Sequence, residues 1–198
     1  MSLLFRSLLS VLAVSHVSVG AALFPRATTS FDLQAFGTNN NGTTISESSV
    51  FYADGTAYVG SVKPANASAV YSIFLAQSTS DPTSLVISEA NLTSGSNSTT
   101  NDVVGSLLSI NTTATAYESV TFTSSDNSTN TTSSGLTTSG FRFYGSSLIW
   151  RDDNSSAMES LFYAWPVAGQ EEEDIWILKW NTEKLIVSKS IPVALREE

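Results

Sequence analysis

Alternation of apolar and polar side chains predicts short strands along almost the whole chain, and no amphipathic helix of useful length. Residues Phe31–Gly37 alternate through Phe31, Leu33 and Ala35, and Asn39-Asn40-Asn41-Gly42 follows as a turn. The segments Val50–Ala53 and Ala57–Gly60 flank Asp54-Gly55, the sharpest hairpin signal in the chain. Further strands are expected at Val70–Ala76, Leu85–Ser88, Val103–Ile110 and Tyr117–Thr123. Tracts at Thr93–Asn101 and Ser124–Ser139 are rich in Ser, Thr, Asn and Gly and nearly free of apolar side chains. They bury too little surface to offset ordering and read as solvated loops.

The pattern resumes at Phe141–Tyr144, turns at Gly145-Ser146 and continues through Leu148–Arg151. Leu161–Val167 and Ile175–Trp180 bracket the acidic run Glu171-Glu172-Glu173-Asp174. Apolar residues fill both odd and even positions there, the pattern of strands buried on two faces. Leu185–Val187 and Ile191–Leu195 finish the chain. All four tryptophans, Trp150, Trp165, Trp176 and Trp180, lie between Phe141 and Trp180. Large aromatics bring the most burial per residue, so the other strands are expected to assemble around this block. About ten short strands with regular turn signals predict an all-β antiparallel sandwich or jelly roll, of the kind seen in concanavalin-like lectins.

The N-terminal residues change the domain picture. Arg6 followed by the apolar stretch Leu8–Val14 and the small-residue segment Val17–Ala22 has the form of a secretory signal peptide, residues 1–22. Residues 23–30 form a short N-terminal or pro-segment, and residues 31–198 a single β-sandwich domain of about 170 residues, ample for a core. The polar ending Leu195-Arg196-Glu197-Glu198 lacks the hydrophobic tail of a lipid-anchor signal. The expectation is a secreted, extracellular protein with no membrane anchor.

Composition removes whole classes of chemistry. The formal net charge is -9, and only Lys63 is basic between Asp32 and Phe141, so the basic footprint that nucleic acid requires is missing. There is no cysteine, and the one histidine, His16, lies in the signal segment. A mature chain of this kind cannot build a Ser-His-Asp or Cys-His nucleophile, nor a zinc or copper site on imidazole or thiolate. No cofactor fingerprint is present and no metal site is assigned. Asp152, Asp153 and Asn154 cluster oxygen ligands in a loop, but their spacing fits no calcium loop.

What remains is carboxylate chemistry and binding. Eight N-x-S/T triplets, at Asn41, Asn66, Asn91, Asn97, Asn111, Asn127, Asn130 and Asn154, predict an N-glycoprotein whose acceptor asparagines face solvent. Exposed aromatics on such a domain suit stacking against the C–H faces of sugars. Trp150, Trp165, Trp176, Trp180 and Tyr163 are such aromatics, and for each of them the alternative is plain core. Trp150 and Trp165 sit at strand ends, before Arg151 and Pro166, and with Tyr163 they are the candidate ligand-binding residues.

No catalytic residue is assigned. Glu172 and Asp174 match two positions of an E-x-D-x-x-E glucanase pattern whose third position falls on Ile177. Glu89, Glu118 and Glu183 complete the carboxylates from which a hydrolase pair could be drawn.

Several segments together, Phe31-Asp32-Leu33-Gln34-Ala35, Ala57-Tyr58-Val59-Gly60, the W-x-L-x-W-N stretch Trp176–Asn181 and Pro192–Arg196, resemble small secreted glycoproteins of filamentous fungi that carry no assigned activity. That resemblance implies secretion and a β-rich fold and transfers no catalytic residue. The first expectation is therefore a non-catalytic extracellular or cell-wall protein binding a cell-wall polysaccharide or other glycan. A divergent glycoside hydrolase and a structural or host-interaction surface protein without a ligand site are the alternatives.

Overall fold

A computed structural model describes residues 29–95, 103–124, 135–184 and 189–198. The predicted signal segment, most of the pro-segment, the Asn97, Asn127 and Asn130 triplets and the Leu185–Val187 strand lie outside the described residues. The described residues are all β, with no helix and with every ladder antiparallel.

Fourteen strands follow in chain order: β1 Leu33–Thr38, β2 Thr44–Ala53, β3 Thr56–Gly60, β4 Val70–Gln77, β5 Leu85–Ser94, β6 Leu107–Asn111 and β7 Tyr117–Ser119, then β8 Thr121–Thr123, β9 Leu136–Thr137, β10 Phe141–Tyr144, β11 Ser147–Trp150, β12 Phe162–Pro166, β13 Ile175–Asn181 and β14 Ile191–Glu197.

The architecture corrects the predicted sandwich or jelly roll to a closed barrel. Neighbouring strands run β1-β2-β4-β5-β6-β8-β3-β13-β12-β14, and β14 pairs back onto β1, so ten strands return to their start. The β2–β3 ladder also crosses this ring and pinches it. Closure removes the open edges that two stacked sheets would leave.

Strand β2 makes this possible by serving three partners. Its first half pairs with β1, and its second half pairs with β3 on one edge and β4 on the other. Within the first half, between Ile45 and Ser48, the register against β1 slips by one residue and Glu47 takes a φ of 50°, a bulge that bends the strand. The predicted Asp54-Gly55 hairpin is present, with φ of 46° and 85°, so both central residues are left-handed as a type I′ turn requires.

Several local expectations change, and the strand expected over Val103–Ile110 begins only at Leu107. The single strand expected over Tyr117–Thr123 divides at Val120: β7 pairs with β13, while β8 pairs with β3 and β6. Strand β5 runs on through Asn91 to Ser94, into the tract read as loop, and β9 forms inside the second such tract. Finally, β12 and β13 are not buried on both faces. Phe162, Ala164, Leu178 and Trp180 point into the barrel and are buried, whereas Tyr163, Trp165 and Ile177 are half-buried on the outside. Apolar residues fill both faces because the outer wall carries its own aromatic stripe.

The interior is one continuous core reaching from Leu33 and Val59 to Tyr71, Leu108, Phe141 and Leu195. A smaller cluster of Phe51, Ala53, Val70 and Ile175 lies on the opposite face of the same strands, beneath Val62, Ala67 and Val167. Trp180 fills the interior near its centre, edge-on to Phe162 at 4.9 Å and to Trp150 at 6.0 Å.

Candidate functional site

The three candidate aromatics fall in three different settings. Trp150 ends β11 and touches the interior through Trp180, while its other side faces solvent at the foot of the 151–160 loop. Its indole Nε1 donates to the Ser139 carbonyl at 2.9 Å, which fixes the ring plane. Trp150 and Glu159 exchange backbone hydrogen bonds, both at 2.8 Å, so the loop folds back beside the ring. The result is a pair of adjoining cavities of about 230 Å³ each. Thr112, Trp150 and Asp152 line both. Thr137, Ser139, Gly140, Arg151, Asp153 and Asn154 complete one, and Ser155, Ala157 and Glu159 complete the other.

The ring is held from below by a chain of hydrogen bonds that begins at Asp81. The Asp81 carboxylate accepts from the Thr83 amide at 2.8 Å, the Thr83 hydroxyl at 2.7 Å and the Ser84 hydroxyl at 2.8 Å. Thr83 in turn accepts from the Gly140 amide through its hydroxyl at 3.1 Å and from the Phe141 amide through its carbonyl at 2.8 Å. Gly140 lies directly against Trp150: a Cβ there would sit 2.6 Å from the indole Nε1, and its φ of 94° belongs to glycine. Burial alone would push the Asp81 carboxyl up. The Thr83 and Ser84 donors and the Arg142 charge outweigh it and hold the carboxyl below its ordinary range.

Trp165 is differently placed. It lies on the outer wall, edge-on to Tyr117 at 6.1 Å, and Lys179 covers both rings, with its Nζ 4.5 Å from the Tyr117 centroid and 5.6 Å from that of Trp165. Burial pushes the Lys179 ammonium below the ordinary lysine range, against the pull of Glu118. A cation already occupies the face on which a sugar would stack. Tyr163 shares the outer face of β12 and lines a separate cavity of about 210 Å³ with Thr38, Asn39, Asn40, Ser190 and Pro192. The structure thus brings Tyr163 and Trp165 onto one face and leaves Trp150 apart from both. Trp176 and Trp180 belong to the core, half-buried and fully buried respectively.

The carboxylates named for a hydrolase pair have separate partners. Glu89 accepts from the Ser30 hydroxyl at 3.4 Å, Glu118 from the Asn111 amide at 3.0 Å and Asp174 from the Ser61 hydroxyl at 2.6 Å. Glu172 and Glu183 are exposed in turns. The carboxylates that do share a cavity with a tryptophan are Asp152, which lines both cavities beside Trp150, Asp153 in one and Glu159 in the other. Glu159 was not legible as a site residue, because only the bridge to Trp150 brings it there.

In the 152–154 loop, Asp152 Oδ1 accepts from the Asn154 amide at 2.7 Å, and Asp153 pairs with Arg142 at 3.6 Å. These oxygens shape the turn and its ion pair. Among the described residues no group of three acidic, histidine or cysteine side chains could hold a metal ion.

Of the acceptor triplets described, Asn41, Asn66, Asn91 and Asn154 are exposed. Asn111 departs from the expectation of a solvent-facing acceptor. It is buried, its Nδ2 donates to Glu118 at 3.0 Å, and its Oδ1 accepts from the Thr113 amide and hydroxyl at 3.0 and 2.8 Å. No protein-family model, curated protein or solved structure matches this chain.

Proposed function

We propose that this chain is a secreted N-glycoprotein that binds carbohydrate, without catalysis, in the groove beside Trp150. The observation that carries this reading is a half-exposed tryptophan, fixed by its own indole hydrogen bond, in a cleft otherwise lined by hydroxyl, carboxylate, amide and guanidinium groups. An apolar ring for the C–H face of a pyranose and polar groups for its hydroxyls are the two things sugar recognition needs.

A glycan array probed with the secreted, glycan-trimmed protein tests it. Wild type is expected to retain a defined set of oligosaccharides and Trp150→Ala to lose at least about tenfold in signal, as truncation of a central aromatic anchor does. Retention of no glycan, or of the same set by Trp150→Ala, would overturn the reading. The polymer most in keeping with secretion is a cell-wall polysaccharide. Glycans are proposed at the exposed Asn41, Asn66, Asn91 and Asn154, and not at Asn111, whose side chain is buried and donates to Glu118.

A second reading keeps the glycoside hydrolase, now with Asp152 and Glu159 as its pair, because these two carboxylates and Trp150 line one cavity. It is separated from the first by incubating the retained oligosaccharide with wild type and Glu159→Gln. Cleavage by wild type alone supports catalysis, and an unchanged oligosaccharide supports binding only.

A further inference from the structure

Ladder registers on the outer wall align one continuous row of residues: Trp165, Ile177, Tyr58, Phe51, Ser72 and Asn91, from β12 through β13, β3, β2 and β4 to β5. The row is aromatic at one end and finishes at an exposed asparagine of an N-x-T triplet. Phe51 and Tyr58 stack with centroids 5.6 Å apart and planes within 19°.

Beside Phe51 and Ser72 the wall is hollowed into a cavity of about 350 Å³. Its apolar floor is Phe51, Val62 and Val70, and hydroxyls of Ser49, Ser72, Thr93 and Ser94 ring it, with Lys63 at the rim. Lys63 Nζ donates to the Ser94 hydroxyl at 3.1 Å, and the Thr93 hydroxyl to the Val70 carbonyl at 2.9 Å. Two of these lining residues belong to Asn91 by position. Ser72 is its direct cross-strand partner, and Thr93 is the third residue of its own triplet.

We propose that this cavity is a docking site for the chain's own N-glycan, with the first sugars attached at Asn91 lying back over Ser72 and onto the edge of Phe51. The proposal rests on the glycoprotein reading above and is independent of the Trp150 groove. Directly opposed residues of an antiparallel pair have Cβ atoms about 5 Å apart and point to the same face, so a sugar leaving Asn91 begins above Ser72. The next strand, carrying Phe51, is about 4.8 Å further on, within reach of a second sugar. The occupant is already tethered, so docking carries little translational cost, and a modest contact suffices to populate it.

The test is site-resolved release by an endoglycosidase acting on the native, secreted full chain, followed by glycopeptide mass spectrometry. If the docked state is about nine-tenths populated, the Asn91 glycan is released about tenfold more slowly than that on Asn41 at the β1–β2 turn. Ser49→Arg, which fills the cavity from the β2 side, restores release at Asn91 while leaving Asn41 and the unfolding midpoint unchanged. Phe51→Ala is the less suitable probe, because Phe51 is only 8% exposed and supports the outer cluster. Occupied Asn91 with release as fast as at Asn41, or slow release that Ser49→Arg does not change, would overturn the docking site and leave the glycoprotein reading intact. Asn91 bare while Asn41 is occupied overturns docking alone. Vacancy at every triplet would overturn both.

Discussion

At the scale of single residues, Trp150 and Asp81 illustrate how polar detail serves an aromatic. Trp150 is held by the Ser139 carbonyl above and by Gly140 beneath. Gly140→Ala puts a methyl 2.6 Å from the indole nitrogen and 2.7 Å from the Arg151 carbonyl, at a φ of 94°. The expected outcome is a protein less stable by about 1–3 kcal/mol that has also lost the proposed carbohydrate binding. Chemical unfolding and oligosaccharide retention, measured side by side, check both. Asp81 adds a pH dependence. Its carboxyl titrates lower in the folded chain than in the unfolded one, so its contribution is fully present above the unfolded value of about 3.9 and fades as pH falls through the lower, folded value. Asp81→Asn should therefore lower the thermal midpoint at pH 7, and the gap to wild type should narrow below about pH 4. A gap that stays constant down to pH 2 would contradict this role for Asp81.

At the scale of elements, what could be read from sequence was what short-range chemistry determines. The Asp54-Gly55 turn was legible because type I′ geometry selects those residues. Strands such as β4 and β13 were legible from apolar content. The barrel was not, because closure depends on partners: β2 serves β1, β3 and β4, and nothing in Thr44–Ala53 alone announces the bulge at Glu47. The split of Tyr117–Thr123 at Val120 has the same origin, as its two halves answer to different neighbours. Likewise Trp150 was legible as a strand-end aromatic, while Glu159 and Thr112 reach it only through long-range pairing.

The closing ladder is itself testable. Gly37 on β1 lies so close to β14 that a Cβ would fall 2.1 Å from the Pro192 carbonyl. Gly37→Ala is expected to cost about 3 kcal/mol, the upper end of overpacking effects, and to raise amide exchange chiefly in β1 and β14. Hydrogen exchange read by mass spectrometry would show this. Exchange raised evenly over all strands would contradict a local break at the seam.

At the scale of the whole molecule, the absence of cysteine leaves packing and hydrogen bonds to hold the fold, and the continuous interior from Leu33 to Leu195 supplies the packing. Chemistry is displaced to the wall. One end of the outer stripe is covered by Lys179, the other ends at Asn91, and the Trp150 groove lies apart from both. This division leaves the Trp150 groove as the proposed site for a foreign carbohydrate. Isothermal titration of an array-selected oligosaccharide into wild type, Trp150→Ala and Trp165→Ala measures it most directly. The expected result is a single site whose Kd rises at least about tenfold in Trp150→Ala and changes less than about twofold in Trp165→Ala. Wild-type affinity retained by Trp150→Ala, or lost in Trp165→Ala instead, would contradict it.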